Sequence, residues 1–271
     1  GPPYRPALAA TAMAALLCGA ICVPTAFMVS EFNRHAHMSP GYETEGRYAA
    51  RLLLLDYDSR NQAQWWQQLT LLRSEITQMA GVSSVGYIAP APWDFAGAQG
   101  VVTNESEMLL NVAVTGGVMR MLSPVGWKGR EILDQEAMDE VIVQNLQESE
   151  RRNFIPAGST IIEEIRGLRY SPFDETGRPA ILRSLRTGIG HEVSLLVEAQ
   201  GNESRVIDAL NKAVATQSED FAAAPFASVD RILSDRLAAV RTSAIMSMAV
   251  AVIAIVLLAI TLLAVVRLYV A

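Results

Sequence analysis

The chain has 271 residues, 51% of them hydrophobic, with 28 acidic against 22 basic residues and a formal net charge of −6. The absence of basic clusters argues against nucleic acid as a partner, and so much apolar sequence calls for a search for membrane spans. The only cysteines, Cys18 and Cys22, stand close together near the start, so the rest of the chain must fold without disulfides.

The first apolar stretch runs from Pro6 to Ser30, between Arg5 and Glu31. It is rich in alanine and carries Pro24, which kinks a helix or ends its regular bonding. A signal peptide is the competing reading. The run is longer than the usual h-region of roughly 7–15 residues and no basic cluster precedes it, which favours a retained helix. Cys18 and Cys22 share one helix face at i, i+4 and read as small packing residues. EFNRHAHMSPGYETEGRY, 31–48, is a polar, turn-rich connector. His35 and His37 lie in it, and two ligands do not make a metal site.

AARLLLLDY, 49–57, reads as a buried strand. Asp58 or Ser59 is placed to cap the next helix, 61–81, in which Trp65, Trp66, Leu69, Leu72 and Ile76 recur at helical spacing and Gly81 stands where a C-cap glycine belongs. Of the two adjacent tryptophans, one belongs to the core and the other is half-exposed. Over 82–93 a strand running into a proline-punctuated loop completes a βαβ unit. EMLLNVAVTG, from Glu107, is the next strand, and GVMRMLSPVGW is a short helix or turn. A loop follows, then a strand centred on Val141, a helix start near Asn145 and a strand over 158–168. SPFDETGRPA is a surface turn, and ILRSLR a short strand.

The first pattern then returns. A strand over 191–201, opened by His191, precedes a helix over 202–217 capped by Asn202, with Val206, Ile207, Leu210 and Val214 on one face. FAAAPFASV is a short strand. The helix 229–241 leads without glycine or proline into Thr242–Val266, 25 uncharged residues between Arg241 and Arg267. As a helix that stretch is about 37 Å long, enough to cross roughly 30 Å of hydrocarbon. All 28 acidic residues and all but Arg5 and Arg267 of the basic ones lie between the spans, in 31–241. Two crossings put both termini on one side; the positive-inside rule makes that side the cytoplasm and places 31–241 outside it. Alternating strands and helices favour an open sheet with helices on one face.

Motifs for chemistry are missing. There is no phosphate loop, no HExxH and no GxSxG. Asp134, Glu136, Asp139 and Glu140 form a solvated acidic loop. Glu163 and Glu164 are adjacent on a strand, point to opposite faces and cannot act as a pair. No catalytic, cofactor-binding or metal-ligating residue is assigned.

The order of these segments resembles the MacB-like, FtsX-type permeases of ABC transporters, above all their periplasmic core domain. The residues that carry the likeness are the connector Pro40, Gly41, Tyr42; the turn Ala80, Gly81, Val82; the strand end Ala89, Pro90; the turn Gly129, Arg130, Glu131, Asp134; and the strand Val141, Ile142, Val143, Gln144, Asn145. Ala80 stands where the family often has proline. The resemblance covers 6–270. It implies an α+β, membrane-anchored architecture: a first transmembrane helix in 1–30, a porter-like subdomain of βα(β) units in 31–94 and 186–241, an inserted smaller subdomain in 95–185, and a second transmembrane helix in 242–271. Such permeases continue with two more spans, so the chain is expected to be part of a longer permease.

The function so implied is non-catalytic. A separate cytoplasmic ATPase binds ATP and Mg and hydrolyses the nucleotide, and helix movement passes to the periplasmic domain for export or mechanotransmission. The implied partners are that ATPase, the bacterial inner membrane, a second permease copy or homologous half, and a periplasmic adaptor in some systems. The alternatives are the extracytoplasmic sensor domain of a receptor or histidine kinase, which shares the plan of span, domain and span, and a stand-alone membrane-anchored adaptor.

Overall fold

A computed structural model describes residues 4–36, 39–55, 61–93, 100–102, 108–132, 140–170, 178–187, 190–216 and 221–270. His37, the cap candidates Asp58 and Ser59, the acidic residues Asp134, Glu136 and Asp139, and most of the surface turn after Tyr170 lie outside them.

The elements in chain order are α1 (Tyr4–Ala36), β1 (Arg47–Leu54), α2 (Gln62–Thr77), β2 (Val82–Ala89), β3 (Gly100–Val102), β4 (Met108–Val114), α3 (Val118–Leu122), β5 (Glu140–Gln144), α4 (Glu148–Phe154), β6 (Thr160–Ile165), β7 (Ala180–Ser184), β8 (Glu192–Ala199), α5 (Glu203–Ala215), β9 (Phe221–Ala223), β10 (Ala227–Ser228) and α6 (Val229–Val270). They fall into two compact units: Ser39–Leu233, and the flanking helical segments Gly1–Met38 with Ser234–Ala271.

In the first unit a mixed sheet runs β10-β1-β8-β2-β4-β7-β5-β6, with β9 on β1 and β3 on β4. The two predicted βα(β) units interleave. β8 inserts between β1 and β2, antiparallel to both, and β1 lies between β8 and β9. This is the split βαβ arrangement of ferredoxin-like folds. Its strands come from 31–94 and 186–241. β3 to β7 come from 95–185 and extend the same sheet through a short β2–β4 ladder at Ile88 and Ala89. β5 and β6 run parallel with α4 as their crossover, and β7 pairs antiparallel with β5.

The alternation of side chains along β1, β8 and β2 feeds two cores. One face carries Leu52, Leu195 and Tyr87 against Leu69, Leu72 and Ile76 of α2 and Leu210 and Val214 of α5. Tyr87 donates its hydroxyl to the Leu69 carbonyl at 2.7 Å, tying α2 to the sheet, and burial pushes its phenol far up. Trp65 is buried in this core, while the half-buried Trp66 stacks under the Arg186 guanidinium at 5.9 Å. The opposite face is covered as well: Ala49, Leu196 and Ile88 pack into a second core with Leu110, Met119, Ile142, Leu182 and Val229. A third, smaller core joins Val141, Val143 and Ile181 to Phe154 of α4.

Three local expectations are corrected. The predicted helix 61–81 ends at Thr77; Gly81, at φ +86°, belongs to the turn before β2, where a Cβ would lie 2.8 Å from the Gln200 carbonyl oxygen. The segment read as one strand after Phe221 is two short ones broken around Pro225, with the Phe226 amide donating to Asn211 Oδ1. Asn145 starts no helix: its φ is +48°, and α4 begins at Glu148. The Asn202 cap is present, accepting from the Arg205 amide at 3.3 Å.

In the helical unit, α1 extends past residue 30 to Ala36. Among the described side chains of this unit, Cys18 and Thr25 on α1 and Ala244 and Ala251 on α6 are buried, each pair one heptad apart. Thr25 donates to the Ile21 carbonyl at 2.8 Å and lies 3.5 Å from that of Ser247. Small residues let helices approach closely where no hydrophobic effect operates between them. The bulky side chains of α6, such as Ile253, Leu257 and Leu263, face outward. Among the described residues one helix, over Val229–Arg267, is long and apolar enough to cross a membrane; the apolar stretch Thr11–Phe27 of α1 is shorter.

Candidate functional site

Of the described carboxylates singled out in the sequence, Glu163 and Glu131 hold backbone while Glu164 pairs with a side chain. Glu163 is buried and accepts from the amides of Lys128 and Arg130, the latter at 3.0 Å, so it organises the loop after α3. Glu131, in the same stretch, accepts from the amides of Gly117 and Arg120 at 2.8 and 3.0 Å and so caps α3. Glu164 points the other way, as its strand position requires, and pairs with Arg151 at 2.6 Å. That guanidinium, with further help from Arg166 and Lys128, holds the Glu164 carboxyl below the usual range. His191 precedes β8 and gives its carbonyl to the Leu54 amide at 2.8 Å. Among the described residues no group of three or more His, Cys, Asp or Glu is placed to hold a metal.

The quoted connector Pro40, Gly41, Tyr42 lies at a junction of three segments. The Val125 amide donates to the Gly41 carbonyl at 3.3 Å, the Arg166 amide to Val125 at 2.7 Å, and the Arg169 amide to Pro40 at 3.3 Å. Gly41 takes φ +83°, and a Cβ there would fall 1.5 Å from the Gly167 carbonyl oxygen. Gln144, fully buried at the end of β5, clamps the third segment. Its amide nitrogen donates to the carbonyls of Leu168 and Arg178 at 2.8 and 2.9 Å, and its oxygen accepts from the Leu168 amide at 2.9 Å. Tyr42 packs against Trp93 with ring centroids 6.3 Å apart.

Beside this junction opens a cleft of about 640 Å³, beyond the carboxyl ends of the parallel strands β5 and β6. Arg151, Arg166 and Arg169 line it, with Glu164, the exposed Val125 and the edges of the buried Val143 and Ile165. Reading the sequence missed this site. Its one local signal is Arg166-Gly167-Leu168-Arg169, two arginines around a glycine in an acidic region.

No family model matches this chain, and no curated protein matches it. Among solved structures, the crystal structure of the periplasmic region of MacB from Actinobacillus actinomycetemcomitans is similar to it with a TM-score of 0.36 and 11% sequence identity, over 71% of this chain and 94% of that one. Overlap this loose carries neither fold nor activity from one chain to the other.

Proposed function

We propose that this chain is the non-catalytic permease part of an ABC-type transporter in a bacterial inner membrane. A separate cytoplasmic ATPase, working with ATP and Mg, moves its helices, and the domain 39–233 responds on the periplasmic side. A second copy or a homologous half completes the permease, and a periplasmic adaptor is a further partner in some systems of this kind.

The observation that supports this reading most is the unbroken backbone of α6. Its first turn is core: Val229 is buried, and Ile232 and Leu233 pack on the second hydrophobic cluster. The same helix continues through the apolar stretch to Val270. A helix transmits axial and rotational displacement along its length, whereas a glycine-rich linker absorbs it. The quoted motifs fit the reading too, because Gly41 and Gln144 hold the domain together at one junction.

The test is to replace Ala238 and Ala239 by glycine, each costing about 1 kcal/mol of helix stability, and to co-express the chain with ABC ATPases from the same genome. In the unaltered complex, trapping the ATPase with vanadate should change the tryptic cleavage pattern of 39–233. In the glycine variant the ATPase should still copurify while the change disappears. Failure of any ATPase to copurify refutes the transporter reading. A change that persists in the glycine variant refutes coupling through α6.

A further inference from the structure

We infer that the outward face of α2 is the surface on which a second copy of this chain docks, with the two α2 helices antiparallel. Three properties of the helix carry the inference.

The face is uncharged. α2 and α5 cover the same core. α5 turns Arg205, Asp208 and Lys212 to solvent, as an exposed helix ordinarily does. On α2 the exposed side chains opposite the buried Trp65, Leu69, Leu72 and Ile76 include Gln64, Gln67, Thr70, Leu71 and Ser74, with Gln78 at the C-cap, and none of these carries charge. The two charged residues of the helix flank this face. Arg73 is half-buried and donates to the Gly116 carbonyl at 2.8 Å, and Glu75 stands at the rim. Depletion of charge is what distinguishes the centre of a protein–protein contact from the rest of a surface.

The middle of the face is apolar and needs little water. Leu71 is 52% exposed at its centre. Thr70 and Thr77 donate their hydroxyls to the carbonyls of Trp66 and Arg73, each at 2.7 Å, so both are satisfied within the helix.

The pattern is self-complementary. Gln64, Gln67, Leu71, Ser74 and Gln78 recur at alternating steps of three and four, one stripe for a facing helix. The stripe reads nearly the same in both directions, with amides at its ends and leucine in the middle. A two-fold axis through the middle of a helix sets it antiparallel to its copy. The amide ends of one copy then meet the amide ends of the other, and leucine meets leucine. A glutamine amide both donates and accepts, so identical side chains can pair. A partner with a charged face would bring its charges to a surface that offers none in return. A contact of one helix per copy is small beside the roughly 1,200–2,000 Å² of stable interfaces. Confining both copies to one membrane raises their effective concentration and offsets the small area. The docking therefore rests on the reading that a second permease copy shares the membrane. Copurification of the ATPase tests the transporter part of that reading separately.

The experiment uses the full chain in membranes of the expressing cells, with a single cysteine added and a short bis-maleimide as cross-linker. The unaltered chain, whose only cysteines are Cys18 and Cys22, gives the background. Leu71→Cys should yield a covalent dimer, and Asp208→Cys, on the exposed charged face of α5, should stay at background. Adding Gln67→Arg to the Leu71→Cys chain places like charges at the contact and should lower the dimer yield about fivefold. Both altered positions on α2 are exposed, and an unchanged melting temperature shows that the fold is intact. Cross-linking at Leu71→Cys no stronger than at Asp208→Cys, an adduct with a different polypeptide in place of the dimer, or a yield that Gln67→Arg leaves unchanged would each overturn the inference.

Discussion

Replacing Gly41 by alanine tests whether the connector is a structural joint or a spacer. At φ +83° any L-residue pays for the left-handed conformation, about 1–2 kcal/mol. The added methyl would also lie 1.5 Å from the carbonyl oxygen and 2.5 Å from the carbonyl carbon of Gly167, both backbone atoms that no rotamer change can move. The two segments must separate by well over 1 Å, which breaks the bond from the Val125 amide to the Gly41 carbonyl and strains that from Arg169 to Pro40. Each such bond is worth about 0.5–1.5 kcal/mol. The total comes to roughly 2–5 kcal/mol, a large share of the ~5–15 kcal/mol that holds a domain together. For a unit the size of Ser39–Leu233, roughly 2–4 °C of melting temperature accompanies each kcal/mol, so a loss of about 4–20 °C is expected. The assay is thermal unfolding of the full chain in detergent, followed by tryptophan fluorescence; all four tryptophans, Trp65, Trp66, Trp93 and Trp127, lie between residues 39 and 233. Gly129→Ala supplies the control, because Gly129 has φ +100° but no atom within 4 Å of the added methyl. It should lose only the conformational part, about 1–2 kcal/mol. Equal losses in the two variants would refute the role assigned to close approach.

Gln144→Leu roughly preserves volume but strips the buried carbonyl and amide of Leu168 and the part-buried carbonyl of Arg178 of the bonds to this side chain. A loss of about 2–4 kcal/mol is expected, read as a lower midpoint in a urea titration; a neutral result would show that the 165–169 segment holds itself. Glu164 has its folded-state pKa depressed by Arg151, so its contribution to stability is present above the unfolded value of about 4.3 and is lost as pH falls through the folded value. Because its side chain is 57% exposed, that contribution is below about 1 kcal/mol. Glu164→Gln should melt lower than the unaltered chain at pH 7 and converge with it at low pH, and a constant gap would contradict the pairing. Ser204→Cys on the exposed start of α5 should react with a membrane-impermeant maleimide added to intact spheroplasts, above the background of the unaltered chain. Labelling only after lysis would place the domain in the cytoplasm.

Much of the fold was legible because its elements are local. The 3.6-residue apolar period in α2 and α5 and the short apolar runs of β1 and β8 appear in the sequence at their observed places, as does the Asn202 cap. The opposed faces of Glu163 and Glu164 followed from strand geometry alone. Boundaries set by distant partners were misplaced. Gly81 reads as a helix C-cap because glycine tolerates positive φ wherever it occurs, and only the Gln200 carbonyl lying against it shows why it is there. The cleft was hidden for the same reason: Arg151 and Arg166 are far enough apart in sequence to look like ordinary surface charge.

Periodicity and composition by themselves determined the order of the longer elements (though not β3 or the break between β9 and β10), the apolar stretch of α6 and the absence of a recognisable catalytic motif, because each depends on neighbours a few residues apart. Only the tertiary structure decided that the two βα(β) units interleave, that the sheet carries a core on both faces, and that Gly41 meets Gly167. Those outcomes depend on which strand edges find one another across more than a hundred residues, and the backbone hydrogen bonds that join strands are the same for every side chain.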